Sequence, residues 1–484
     1  MPSPNLTTIP LEILLLIVSH LNRRDFTTTR LVCRRLEGSL FRKFAQKYFT
    51  MIRFMCTEYS LQALVDISES RLSPYLKHVV VEADLHFEHF GGAREYSNIN
   101  DVSTEMHVKI NKFTQLAADQ LAFLNTGRHQ QFLIKAFRNL KLERVGVCDL
   151  LHDTRCNCAS HRAISLGTSQ VHRETGAPSR IFHVGRASRW QFLSRIASCV
   201  QSVLFALGES RSRPRRLDIC AILDGLDDEQ AFCIPGFAKD TILPIISGLE
   251  TIDFGLNPGC PFPHVISPND GVPVIIDTYY LRTFLSHATH LEALHLREMA
   301  RDEAFFDWLG ASISCNDYEG PPELKPPNTP ALTKVHECKL KKCTLPLQSL
   351  VLIIRKCSSL RRLTLTNIIF LDHNFDTFCR LFRELFRSST HLESIHLTNI
   401  YIDGDGVAVS FGKSYDHRVR SFSYRGPNMK AELEALQLYI DPEILDFDMD
   451  DDMDTEEEED MYAEEEYMYA EEGDTDTGEE EMDG

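Results

Sequence analysis

Nowhere does the chain hold the roughly 18–20 consecutive apolar residues that cross a bilayer. Its densest aliphatic run, from Ile9 to Val18, is shorter than that, contains Glu12 and has no basic residue before it. It is therefore expected to be neither an anchor nor a signal peptide, and the Asn5-Leu6-Thr7 sequon is then a chance match. Enzyme signatures are missing as well: there is no phosphate-cradling Gly-rich loop, no G-x-S-x-G elbow and no H-E-x-x-H pair. No intrinsic catalysis and no cofactor are expected. The 14 cysteines follow no regular pairing, so they read as reduced thiols of a cytoplasmic or nuclear protein, many buried as small apolar groups. Lysine and arginine are absent from residues 446–484, which carry 22 of the 70 acidic residues. The rest of the chain sets 51 basic against the remaining 48 acidic side chains, a balance of +3 within an overall net charge of −19. The folded body is nearly neutral, and no dominant basic surface points to nucleic acid.

What the chain does have is an aliphatic amino terminus. Leu6 to Leu21, the charged stretch Asn22-Arg23-Arg24-Asp25-Phe26, and Arg30-Leu31-Val32-Cys33-Arg34-Arg35-Leu36 read as two short apolar helices joined by a polar turn. Pro10 suits a first helical turn, where its missing N–H costs nothing. Ile9, Ile13, Ile17 and Leu21 recur at i+4 as one stripe. Asp25 is placed to cap the second helix. Phe41, Phe44, Tyr48 and Phe49 carry the helical pattern onward. So small a unit cannot bury both apolar faces by itself and needs a partner.

These residues resemble the F-box. Its pattern is a Leu-Pro-x-Glu-Ile opening, an aliphatic helix ending in Leu, a turn with Asp, and Val-Cys-basic-basic followed by a bulky residue. Here the counterparts are Ile9-Pro10-Leu11-Glu12-Ile13, Ile17, Leu21, Asp25 and Val32-Cys33-Arg34-Arg35-Leu36. Ile9 replaces the usual Leu, and Leu36 stands where many members carry Trp. The resemblance covers about a tenth of the chain. It implies docking on a Skp-family adaptor, and through it a cullin–RING ubiquitin ligase, with Pro10, Ile13, Ile17, Leu21, Leu31, Val32, Cys33 and Leu36 forming the contact. The alternative is a helical cap whose stripe packs on the chain's own repeats.

From about residue 70 a short pattern returns, Leu-x-x-Leu-x-Leu with any aliphatic or, loosely, apolar residue at each Leu. Its copies are Leu76/Val79/Val81, Leu142/Val145/Val147, Leu249/Ile252/Phe254, Leu291/Leu294/Leu296, Val335/Cys338/Leu340, Leu360/Leu363/Leu365, Leu392/Ile395/Leu397 and a looser Val419/Phe422/Tyr424. The best-matched pair, Leu360 to Ile368 and Leu392 to Ile400, is offset by 32 residues. The period-2 end of each copy predicts a short strand with alternate residues inward. Helical spacing fills intervals between copies, as at Phe375/Phe378/Cys379/Phe382/Leu385/Phe386 and Trp190/Leu193/Ile196/Ala197/Val200/Leu204. Stretches 82–101, 153–186, 257–273 and 320–330 read as loops, and 431–441 as a last helix with Leu433, Leu436 and Ile440 on one face.

The pattern resembles an irregular leucine-rich-repeat solenoid, whose units usually run roughly 20–29 residues. The alternative is an irregular α/β domain with Leu-rich strands. The expected organisation is α/β: an F-box helical unit at 1–50, a leucine-rich-repeat-like domain at 51–445 and a disordered acidic tail at 446–484. An F-box followed by repeats resembles the substrate receptors of such ligases, many of them fungal. The repeats would then present an unknown protein substrate on Arg297, Lys339, Lys341, Arg362, Thr364, His396 and Thr398, beside His295, a mildly basic surface suited to an acidic segment. Two further readings stand beside this one: a repeat scaffold acting without ubiquitin, and an acidic tail that docks basic partners. Cys148, His152, Cys156, Cys158 and His161 have zinc-type donors, but their spacing matches no common finger.

Overall fold

The computed structural model describes residues 9–83, 104–148, 165–175, 189–220, 229–255, 278–297, 299, 303–311, 327–371, 375–388, 391–402, 407–412 and 419–441. Every described residue belongs to one compact unit, within Met1–Glu443. The acidic tail expected at 446–484 lies outside the described residues.

Three helices open the described chain: α1 (Leu11–Ser19), α2 (Arg23–Leu31) and α3 (Arg34–Tyr48). Two were expected. Cys33 adopts an extended conformation (φ −157°, ψ 159°) that breaks the second predicted helix and lets α3 start afresh. The cap on α2 is Asn22, whose side chain accepts the Asp25 N–H at 2.8 Å. Asp25 therefore lies one turn too far into the helix to cap it, and its carboxylate faces the positive helix end instead.

A mixed α/β body follows. Strands β1 (Met51–Met55), β2 (His78–Glu82), β3 (Arg144–Cys148), β4 (Arg216–Cys220), β5 (Thr251–Gly255), β6 (Ala293–Arg297) and β7 (Glu337–Lys341) lie side by side in chain order. β9 (Arg362–Phe370) and β10 (Ser394–Ile402) continue the sheet, with β8 (Thr344–Leu345) as a short addition to β9. Each pair of neighbours from β1 to β10 is parallel. Parallel neighbours need a crossover between them. Helices supply it: α4 (Glu58–Glu69), then α5 (Thr104–Asn125) and α6 (Arg128–Asn139), α7 (Thr168–Thr175) and α8 (Arg189–Ser210), α9 (Lys239–Ser247), α10 (Tyr279–Ser286), α11 (Glu303–Gly310), α12 (Leu347–Lys356) and α13 (Phe375–Ser388).

The copies of the Leu-x-x-Leu-x-Leu pattern explain the register. Val79, Val145, Leu217, Ile252, Leu294, Cys338, Leu363 and Ile395 are aligned across the strands, and so are Val81, Val147, Ile219, Phe254, Leu296, Leu340, Leu365 and Leu397. Both rows point into one continuous core shared with the helices. Period-2 alternation sends the odd positions of every strand to the opposite face.

Three sequence expectations change. Residues 168–175, inside a stretch read as loop, form α7, and Leu166 just before it bridges Phe54 on the outer edge of β1. Val419, Phe422 and Tyr424 do belong to a strand, β12 (Ser421–Arg425), but it runs antiparallel to β10. The last predicted helix stops at Ala435 (α14, Met429–Ala435), and Gln437–Asp441 instead form β13, paired with β11 (Val407–Gly412). Leu438 and Ile440 alternate and align with Phe411 and Val409, a strand period that helical spacing had hidden.

Asn367 and Asn399 sit at φ 52° and 51°, with Lys342 beside them at φ 54°. This left-handed step bends the strands, and Asn is tolerated there because its short polar chain bonds locally. Here Asn399 Nδ2 donates to Asn367 Oδ1 at 2.9 Å. Replacing Asn399 by Ala keeps a Cβ in the left-handed region without the local polar bonding that offsets its penalty, and removes the bond to Asn367. The expected loss is about 2 kcal/mol, read as a lowered urea midpoint, whereas Asn399→Gly, free of the steric term, should lose about half of that.

Candidate functional site

Helix α1 is aliphatic on all sides. A helix of that kind must be covered on all sides. Its own domain covers one side only: Leu14 and Val18 join Phe26, Leu36, Leu40 and Phe44 in a small core. Phe26 meets Phe44 and Tyr48 edge-on at 5.6 and 5.9 Å, and the Arg30 guanidinium lies 4.2 Å from the Phe44 ring centre. Leu11, Ile13, Leu16 and Ile17 on α1, with Leu31 and Val32 at the end of α2, remain 39–68% exposed. They are six of the thirteen large hydrophobic residues exposed among the described residues, gathered within 22 positions. Dispersed singly they would need no explanation; gathered on one small unit they mark an interaction site.

The residues expected in a contact thus divide. Pro10, Ile13, Ile17, Leu31 and Val32 are exposed. Leu21 and Cys33 are half-buried against the domain core. Leu36 is 2% exposed and belongs to that core, so its side chain is not part of the outer surface. Leu11 and Leu16 were missed, because a helix with apolar residues on every side has no periodicity to say which ones face out.

The chain between Leu6 and Glu37 matches the family model of the F-box domain, residues 6–37. This chain carries an F-box. Domains of this family typically bind Skp-family adaptors. No curated protein matches the chain.

The F-box is joined closely to the sheet. Two residues separate the end of α3 from the start of β1. Arg71 pairs with Glu37 and lies 4.0 Å from the Phe41 ring centre, and Phe41 packs edge-on against Tyr75 at 5.9 Å.

The second surface is the polar face of the sheet. Arg297, Lys339, Lys341, Arg362, Thr364, His396 and Thr398 occupy odd strand positions and share this face with His295. Sequence reading missed the acids between them. Asp218 accepts from Arg144 and from Arg216 (2.7 Å). Asp253 takes Arg216 at 3.3 Å and Arg297 at 2.7 Å, and lies 3.5 Å from His295. Glu337 holds His295 at 3.2 Å, Arg362 at 2.5 Å and Lys339. Several of the bases expected on this surface are therefore partners in an ionic ladder that crosses from β3 to β9. Gly255 permits a close approach beside it: a Cβ there would lie 3.0 Å from the Arg297 carbonyl oxygen.

Burial raises the pKa of Asp253, but the His295 hydrogen bond and the Arg297 and Arg216 charges outweigh it and hold the carboxyl well below its usual range. The His295 hydrogen bond, offset in part by burial and reinforced by Lys339, does the same for Glu337. Both are carboxylates at neutral pH. His78 is the opposite case. Burial first, then Arg144 and Arg216, lowers its pKa to about 3, so the ring stays neutral. Its Nε2 has no hydrogen-bond partner and faces Asp218 Oδ2 at 4.0 Å. The cavity beside it, lined by His78, Arg144, Gly146, Cys148 and Asp218, measures about 10 Å³, room for one water and no ligand.

The face thus has two halves. From β1 to β4 it is closed: Arg53, His78, Glu82, Cys148, Asp218 and Cys220 are buried, and Arg53 donates to Cys148 Sγ at 3.1 Å. From β7 to β12 it is open, with Lys339, Arg362, Ser421, Ser423 and Arg425 exposed. Of the zinc-type cluster only Cys148 is described; His152, Cys156, Cys158 and His161 lie outside the described residues. No group of three or more His, Cys, Asp or Glu is arranged to hold a metal among the described residues, and no helix among them is long and apolar enough to cross a membrane.

Proposed function

We propose that this chain is the substrate receptor of an SCF-type cullin–RING ubiquitin ligase. The F-box docks on a Skp-family adaptor, and the open half of the sheet's polar face presents the substrate. The single observation that carries the reading is the exposed aliphatic set on α1 and α2, joined to a domain that already has a complete core of its own. Those side chains also argue against an end cap: a cap would turn its apolar stripe inward. Burying each one adds roughly 1.5–3 kcal/mol before the entropic cost of association, so a handful is enough for a stable complex.

The body supports the receptor role. Its parallel strands in chain order, each linked by helical crossovers and aligned on a recurring Leu-x-x-Leu-x-Leu, fit an irregular leucine-rich-repeat solenoid. The unit spacing, 42 and 44 residues between the copies at 249, 291 and 335, reflects insertions after the strands. No site for catalysis is proposed; the chemistry would belong to the partner enzymes. The test is direct. Purified full-length chain mixed with a recombinant Skp-family adaptor should elute as a 1:1 complex in size exclusion, and that complex should recruit the cullin. Separate elution of chain and adaptor at micromolar concentration would refute the receptor reading.

A further inference from the structure

Among the described residues, the sheet ends in an open edge with a definite chemistry. β12 pairs with β10 alone among the described strands. Two bonds fix which of its backbone groups are free. Asn399 N–H donates to the Arg420 carbonyl at 3.0 Å, and Gly426 N–H donates to the Glu393 carbonyl at 3.1 Å. In an antiparallel ladder bonded pairs recur every second residue. Phe422 and Tyr424 therefore turn their N–H and C=O groups toward β10, and Ser421, Ser423 and Arg425 turn theirs away from it. These same three residues are exposed. Register places Arg425 beside Ser394, Ser423 beside His396 and Ser421 beside Thr398, all on the polar face.

This end of the face is basic and rich in hydroxyls. Its described odd positions from β7 to β12 carry Lys339, Lys341, Arg362 and Arg425 against one acid, Glu337. Thr398 Oγ1 links His396 Nε2 at 2.9 Å and Ser421 Oγ at 3.0 Å. The far edge of the sheet offers nothing similar, since Leu166 already bridges β1 there. β13, which pairs with β11 alone among the described strands, has Asp441 at its end in place of a base.

We propose that β12 receives an extended acidic segment of a partner protein by strand addition. Alternate acidic side chains of that segment would lie over Arg425 and Arg362, while its backbone bonds Ser421, Ser423 and Arg425. Backbone bonds give such a complex its affinity and the alternating side chains give it selectivity. A charged residue on an open edge discourages a neutral or basic strand from pairing, so Arg425 both excludes the wrong segment and recruits the right one. The inference rests on the receptor reading and names its substrate class.

The test uses the full-length chain and a fluorescent decapeptide of alternating Glu and Val, followed by anisotropy. Three controls accompany it: a Lys-Val decapeptide, the Glu-Val peptide N-methylated at every second residue, and the protein variants Ser423→Pro and Arg425→Glu. Ser423 points its N–H outward, so proline there spares the ladder to β10. Wild type should bind the Glu-Val peptide at micromolar concentration, and each control should weaken it at least about tenfold, the equivalent of ~1.4 kcal/mol. Equal binding of the methylated peptide would mean charge attraction without strand addition. Equal binding of the Lys-Val peptide, or no binding of the Glu-Val peptide up to about 1 mM, would overturn the proposal outright. Adaptor capture runs through Ile13 and Ile17. A chain that captures the adaptor yet ignores the peptide therefore sinks this inference alone, and a chain that binds the peptide but not the adaptor sinks the receptor reading instead.

Discussion

The double replacement Ile13→Asp with Ile17→Asp is expected to abolish capture of a Skp-family adaptor while leaving the unfolding of the chain almost where it was. The two isoleucines are 49% and 39% exposed, and the domain core is built from Leu14, Val18, Phe26, Leu36, Leu40 and Phe44. Their removal from the free protein costs only helix propensity, about 0.5 kcal/mol at each position. In a complex the same change removes two buried aliphatics and inserts two carboxylates that must lose water without gaining partners. The lost burial alone is worth roughly 1.5–3 kcal/mol per residue, and unpaired charges add to it. A total of about 4–6 kcal/mol corresponds to a loss of affinity of roughly 10³–10⁴-fold, below detection in a pull-down. Leu36→Asp supplies the contrast. It places a charge inside the domain core, so it should lose adaptor binding by unfolding the F-box, visible as lost helical circular dichroism. Retention of adaptor binding by a folded double mutant would show that the contact uses other residues.

The difference between Leu36 and Ile13 shows where sequence reading reaches its limit. The spacing of Val32-Cys33-Arg34-Arg35-Leu36 is legible and points to the family, but direction is not: whether a side chain faces its own domain or a partner depends on how α1, α2 and α3 cross. Helix α1 is the extreme case. LEILLLIV offers aliphatic residues at almost every position, so the i+4 stripe of Ile13 and Ile17 and the rival pair Leu14 and Val18 are equally visible. Packing against Phe26 and Leu40 selects the second pair as the inward one.

The body was legible wherever the apolar residues alternate. Copies such as Leu291/Leu294/Leu296 fall on strands because only period 2 places both later residues on one face. β4 escaped because Pro214 occupies the first position of its copy, leaving only Leu217 and Ile219 to mark it. The ionic ladder was illegible for a different reason. Asp253 and Arg297 stand 44 residues apart in sequence and meet only through the register of β5 and β6. The bases could be listed from their strand positions, but their neutralising partners appear only once the strands are aligned. Length variation in the connections has no effect on that alignment, because backbone pairing joins strand to strand irrespective of the path between them.

That ladder leads to the second large effect. Asp253→Ala is expected to destabilise the chain by about 3–5 kcal/mol at pH 7, the cost of leaving inward-held charges without their partner. Asp253 receives Arg216, Arg297 and His295; Arg216 also pairs with Asp218, and His295 with Glu337. The pH dependence distinguishes this from a generic packing defect. The folded-state pKa of Asp253 lies below its unfolded value. On acidification the unfolded chain takes up the proton first, so the stabilisation is complete above about pH 5 and declines as pH falls through ~4 and below. Glu337 follows the same direction. His78 adds a slope of its own in wild type and variant alike: held neutral down to about pH 3 when folded, it titrates near 6.5 once unfolded, so stability also falls between these values as pH drops. The shared slope cancels in a comparison. The gap between the urea midpoints of wild type and Asp253→Ala, taken from pH 7 to pH 3, should therefore narrow toward the acid end. A gap of constant size at every pH would mean that Asp253 acts by filling space and not by its charge.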